Sequence, residues 1–180
     1  MHRIEGDGLA IRLPHQGWFV RGLTEQQIRE LDEVRAALEC FSVRLACRRI
    51  TAEEIGWLHQ HQVTGEDALA SNAMDDYRIY NWDLHAAIMR AARNSYLFAM
   101  MGQLRHQSEM LTAATIRIIG RPLRAMEEHR RLIELIEKRD SKAAEPLMEY
   151  HILSALEDIV RYGAGSAGEH THDGALHLNK

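Results

Sequence analysis

The sequence predicts an all-α protein: an antiparallel bundle of six or seven helices preceded by a short β-hairpin. Three observations predict it. From Thr24 onward, apolar residues recur at helical spacing over most of the chain. The breaks between these stretches carry helix-start signals: Thr24 with Gln27, Thr51 with Glu54, Asn94 or Ser95, Pro122, and Asp140 or Ser141. Residues 9–21 read differently, as alternating strand-like segments about a turn.

In those residues, Leu9-Ala10-Ile11-Arg12-Leu13 and Gly17-Trp18-Phe19-Val20-Arg21 flank a turn containing Pro14 and Gly17, which is a hairpin signal. An isolated hairpin is marginal in water, so it must lean on something else. The first helix starts at Thr24, with Leu31, Val34, Leu38, Phe41 and Leu45 as its expected apolar stripe. The second starts at Thr51, and a polar stretch at 64–76 loosens its pattern. A third covers about 77–92, and a fourth runs from Asn94 or Ser95 to about Ile119. Gly120-Arg121-Pro122 breaks the chain before a fifth that reaches about Lys138. The sixth ends near Gly163. Residues 1–22 are thus read as a hairpin segment, 23–163 as the helical domain and 164–180 as a mobile tail. His170, His172 and His177 in that tail are expected to be unstructured.

The bulk numbers exclude several classes. A chain of 180 residues is one domain of ordinary size and can bury a real core without staples. A net charge of −4, with no block of like charges, gives no sign of a nucleic-acid surface. Cys40 and Cys47 are expected to be small buried hydrophobes in a reducing compartment. No apolar run approaches the ~20 residues needed to span a bilayer. The N-terminus lacks the apolar core of a signal peptide, so a cytoplasmic protein is expected.

Chemistry enters with three histidines. His85, His129 and His151 each fall on the apolar stripe of a different helix, and Asn81 lies one turn before the first. Buried neutral imidazole must be hydrogen-bonded or ligated. Three such rings on three helices suit a divalent metal inside a bundle. Asp83 lies on roughly the opposite side of its helix from Asn81 and His85 and reads as a solvated charge. His59 and His61 read as a polar surface segment. A di-iron site is disfavoured, because Trp82, Met126 and Met148 stand where its carboxylates belong. Glu127 and Glu128 adjoin His129 but are expected to be helix-surface charges. The pattern supports a metal better than it supports a reaction.

Four segments then carry a family resemblance. Leu31-Asp32-Glu33-Val34-Arg35-Ala36-Ala37-Leu38-Glu39, Asn81-Trp82-Asp83-Leu84-His85 with Ala91-Ala92-Arg93-Asn94, Glu128-His129-Arg130, and Met148-Glu149-Tyr150-His151 resemble, in order and spacing, the FCD domain. That is the C-terminal effector domain of the FadR subfamily of GntR transcriptional regulators. The hairpin resembles the wing of the family's winged helix-turn-helix, and the helices expected before it do not appear in the sequence.

The resemblance implies an FCD-like bundle that senses a ligand, forms a homodimer and is not an enzyme. It implies control of operator DNA through a winged helix-turn-helix that is largely missing here. It implies a divalent metal, zinc or nickel, held by Asn81, His85, His129 and His151. The family's first ligand is an Asp, and Asn81 departs from it. The implied effector is a small carboxylate beside the metal, with Arg35 as its expected contact and Arg78 and Arg117 as further candidates. The other role open to Arg35 is a salt bridge to Glu39. Two other readings stay open: a metal-dependent enzyme using the same histidines, and a metal-free helical interaction module.

Overall fold

A computed structural model describes residues 10–13, 17–20 and 23–166, with the side chains of 23–161. Two short strands, β1 (Ala10–Leu13) and β2 (Gly17–Val20), pair antiparallel with Ala10 opposite Val20. Six helices follow among the described residues. They are α1 (Glu25–Arg49), α2 (Ala52–Ala70), α3 (Met74–Ala91), α4 (Ser95–Thr115), α5 (Arg121–Glu137) and α6 (Ser141–Ser166). Helix α6 runs three residues past its expected end. The rest of the segment read as a mobile tail lies outside the described residues. No described helix is long and apolar enough to cross a membrane.

The helix starts follow from side chains that satisfy otherwise orphaned N–H groups. Thr24 and Thr51 form complete capping boxes with Gln27 and Glu54. Asn94 accepts from the Leu97 amide, and Asp140 from the Ala143 amide. Gly120, at φ +78°, takes the left-handed turn before Arg121 and Pro122 open α5. Helix α2 runs unbroken through the polar-looking residues 64–70. Gly65 and Ala68 carry its buried line there, while charged and hydroxyl side chains face outward.

The face that α1 buries differs from the expected stripe. The deepest line is Ile28, Asp32, Ala36, Glu39, Val43 and Ala46, whereas Val34 is about half exposed. Leu38, Phe41 and Leu45 form a flank that meets Ala92 and Leu97. Two carboxylates occupy the buried line because Arg35 of the same helix pairs with both and His85 of α3 meets Glu39.

The main core joins α1, α2, α3, α5 and α6 through Val43, Leu58, Tyr77, Leu84, Leu132 and Ile152, among others. Helix α4 covers this core through two smaller clusters. In one, Leu111 meets Ile28, Leu156 and Ile159, and in the other Leu97 meets Leu45 and Ala92.

Candidate metal centre

Three helices deliver the histidines to one point. His85 from α3, His129 from α5 and His151 from α6 are all buried, and one nitrogen of each lies within 4.8 Å of the other two. His129 Nε2 and His151 Nε2 are 3.3 Å apart. The rings pack at centroid separations of 4.6 to 5.5 Å.

Each ring is held from behind through Nδ1. Glu39 Oε2 meets His85 Nδ1, and Glu128 Oε2 sits 2.6 Å from His151 Nδ1. His129 Nδ1 is 3.2 Å from Tyr80 Oη, which donates to Gln62 Oε1 at 2.7 Å. Carboxylates accept only, so His85 and His151 each hold a proton on Nδ1, and the neutral form of either ring presents Nε2 as its lone pair. Burial raises the Glu39 carboxyl, but the facing His85 ring and the Arg35 guanidinium outweigh it and bring the carboxyl down to about 2. Burial, then the neighbouring imidazoles, hold His129 and His151 well below the ordinary histidine range, so both are neutral at pH 7. Inward-facing imidazole nitrogens, each with an outer hydrogen-bond partner, form the donor set that zinc, nickel or a similar divalent cation takes. The residues present fit such an ion.

A small cavity of about 40 Å³ adjoins the histidines, with room for roughly three waters. Asn81, Asp32, Arg35, Arg121, Thr112 and Thr115 line it, with Leu111, Ile152 and Ile159 as apolar wall. Both guanidiniums are already matched by acids. Arg35 donates to Asp32 at 2.8 Å and to Glu39 at 3.3 Å. Arg121 donates to Glu128 at 3.0 Å and to the His151 carbonyl at 2.9 Å. Arg35 Nε is buried with no partner, an N–H that a cavity ligand could satisfy.

The structure thus brings His85, His129 and His151 together, with Asn81 and Arg35 on the adjoining cavity. The other two arginines do not line it. Arg78 is partly exposed, pairs with Asp75 at 3.8 Å, and faces a surface hollow with Trp82 and Arg105. Arg117 lies by another hollow, near Ile119, Gly120 and Leu123. Past α4 the chain turns before α5, which carries Arg117 off the cavity wall. Glu128 corrects the surface reading given to it: it is 7% exposed and serves His151. Glu127 stays exposed, paired with Arg130.

Sequence reasoning missed Glu39 as a histidine partner and also missed Tyr80, Gln62 and Arg121. One signal was available for the α5 pair. Arg121, Ala125, Glu128 and Leu132 fall at i, i+4, i+7 and i+11, so opposite charges share a core line with apolar residues.

The comparisons with known proteins agree with this architecture. The FCD domain model matches residues 30–154. The HTH-type transcriptional repressor RspR of Escherichia coli (strain K12) is 21% identical over 157 residues, 87% of this chain and 69% of its own length. The probable D-xylose utilization operon transcriptional repressor of Paenarthrobacter nicotinovorans is 27% identical over 157 residues, 84% of this chain and 66% of its own. Among solved structures, E. coli McbR/YncC superposes with a TM-score of 0.79 at 16% identity, covering 89% of this chain and 81% of that one. The Zn2+-bound FCD domain of TM0439 superposes with a TM-score of 0.64 at 22% identity, covering 77% of this chain and 95% of that one. These superpositions show the shared fold. The curated relatives are transcriptional regulators, and the chain belongs to the FCD domain family.

Proposed function

We propose that this chain is the ligand-sensing part of a GntR regulator of the FadR subfamily. In this reading it holds zinc or nickel through His85, His129, His151 and Asn81, and binds a small carboxylate in the adjoining cavity. The observation that carries it is the set of imidazole nitrogens facing one another. His129 Nε2 and His151 Nε2 stand 3.3 Å apart, and a cation between such lone pairs replaces repulsion with coordination. A solved FCD domain, that of TM0439, is described as Zn2+-bound, which supports the same reading here.

The metal would supply a positive charge with open coordination positions for an anion. The protein's own groups then set which anion fits. Arg35 offers its unpartnered Nε–H. Asn81, Thr112 and Thr115 offer neutral polar groups, and Leu111, Ile152 and Ile159 favour a short apolar body. The cavity is too small for such a ligand without movement, so the effector favours a state in which the wall has shifted. In the regulator, β1 and β2 would be the wing of a winged helix-turn-helix, and a homodimer would present two such readers to operator half-sites. The effector would change their spacing only through its differential affinity for the two states.

Metal analysis of the untagged protein tests the core of this reading. Wild type is expected to carry one equivalent of metal, and His129→Ala and His151→Ala to lose it after identical purification. A wild type that stays metal-free after incubation with zinc or nickel would overturn it in favour of a polar helical core.

A further inference from the structure

We infer that Tyr80, with Gln62 behind it, fixes which ring nitrogen of His129 carries the proton, and so is a positioning residue for the metal centre. The purpose rests on the metal reading above, but the proton assignment does not.

The argument starts at Gln62, which is 5% exposed. Its Nε2 lies 3.1 Å from Glu66 Oε1 and 3.2 Å from the Met126 carbonyl. Both neighbours only accept, so the amide NH₂ must face them. Arg130, 2.9 Å from Glu66 Oε1, holds that carboxylate in place. Gln62 Oε1 is left facing Tyr80 Oη at 2.7 Å. An amide oxygen cannot donate, so the single phenolic proton points at Gln62.

With its proton committed, Tyr80 Oη can only accept from His129 Nδ1, 3.2 Å away. His129 therefore carries its proton on Nδ1 and presents Nε2 as a lone pair toward His151. His85 and His151 have their Nδ1 protons fixed by one carboxylate each. His129 alone has its proton fixed through neutral groups two links deep. That sets its tautomer without placing a third carboxylate against the rings.

The order of links makes a distinctive prediction. Removing Tyr80 leaves the His129 tautomer free. Removing only the Gln62 amide frees the phenolic proton to donate to His129 Nδ1, which drives the imidazole proton onto Nε2, the nitrogen the metal needs. The hydrogen bonds of Gln62 go to Glu66, Met126 and Tyr80 and not to His129, yet its loss should be felt there.

The test uses the full chain with 15N-labelled histidine, stripped of metal with a chelator, as wild type, Tyr80→Phe and Gln62→Met. Nitrogen spectra distinguish a protonated ring nitrogen from one bearing a lone pair. Wild-type His129 is expected to be protonated on Nδ1, Tyr80→Phe to show both tautomers, and Gln62→Met to shift toward Nε2–H. Zinc affinity, read by chelator competition, is expected to fall 10- to 100-fold in both variants. A wild-type proton on Nε2 would overturn the inference. So would an unchanged tautomer in both variants, even if their thermal stability fell, because that is what a packing role alone predicts. If the tautomers move as stated but wild type takes no zinc, the inference stands and the metal reading falls. If wild type binds zinc and neither variant changes tautomer or affinity, the metal reading stands and the inference falls.

Discussion

Two glycines of α2 offer a controlled test of how tightly the centre is packed. A Cβ built at Gly65 would lie 2.6 to 2.7 Å from Cδ1, Cε1 and Cγ of Tyr80, whereas one at Gly56 meets nothing within 4 Å. Carbon atoms rest about 3.5–4.0 Å apart, so the Tyr80 ring would have to retreat by about 1 Å. It has little freedom to do so, being buried and tied at its hydroxyl to Gln62 and His129. Replacing a mid-helix glycine by alanine gains about 1 kcal/mol of helix propensity in either variant. Overpacking at Gly65 costs about 1–3 kcal/mol. The propensity gain cancels between Gly56→Ala and Gly65→Ala, so they should differ by about 1–3 kcal/mol. With a urea slope of about 2 kcal/mol/M, the Gly65→Ala midpoint should fall about 0.5–1.5 M below that of Gly56→Ala. Urea unfolding of the two variants under identical conditions reads this directly. Coincident midpoints, both above wild type, would refute the claim that Tyr80 is pinned.

Three more substitutions and one modification probe the site and the helices around it. Asn81→Asp adds a negative oxygen donor and should tighten zinc binding by about tenfold or more, about 1.4 kcal/mol, in chelator competition; unchanged or weaker binding would remove Asn81 from the ligand set. Arg121→Met strips the buried Glu128 of its cation and should cost about 3–5 kcal/mol in urea unfolding; a loss under 1 kcal/mol would show that His151 alone satisfies that carboxylate. Thr51→Ala removes one half of a complete capping box and should cost about 1 kcal/mol by the same assay. Burial pushes both Cys40 and Cys47 up to about 11, so native alkylation at pH 8 should run at least ~100-fold slower than in urea and quicken only as pH climbs toward that value; rapid labelling at pH 8 would contradict it.

The sequence made some features legible and hid others for physical reasons. The capping residues Thr24, Thr51 and Asn94 were readable because a cap is a local contact between residues three apart. His85, His129 and His151 were readable because a polar residue on an apolar stripe is conspicuous. The partners behind them were not. Glu39 lies 46 residues before His85 and Tyr80 lies 49 before His129, and only helix packing joins them. On α1 the error was systematic. The most hydrophobic line, from Leu31 through Leu38, drew attention, while the helix buries the line holding Asp32 and Glu39. Periodicity finds apolar faces, and a helix that turns carboxylates inward toward imidazoles and guanidiniums defeats it. Arg78 and Arg117 show the converse, since an arginine near a site in sequence need not face it.

The polar connections of the centre also divide the bundle into units of different cooperativity. Glu39, Gln62, Tyr80, Glu128 and His151 stitch together α1, α2, α3, α5 and α6, the same helices that share the main core. Among the described residues, α4 donates no side-chain hydrogen bond to another helix. It rests on Leu97, Leu111 and the stacking of Arg105 on Trp82. Amides in the five stitched helices should therefore exchange with solvent only when the whole unit opens. Those of α4, the helix that supplies Thr112 and Thr115 to the cavity wall, should exchange through a separate and cheaper opening. On the reading proposed above, the three histidines and Arg35 would sit in one rigid block, while the α4 side of the cavity wall would have its own, softer mode of motion.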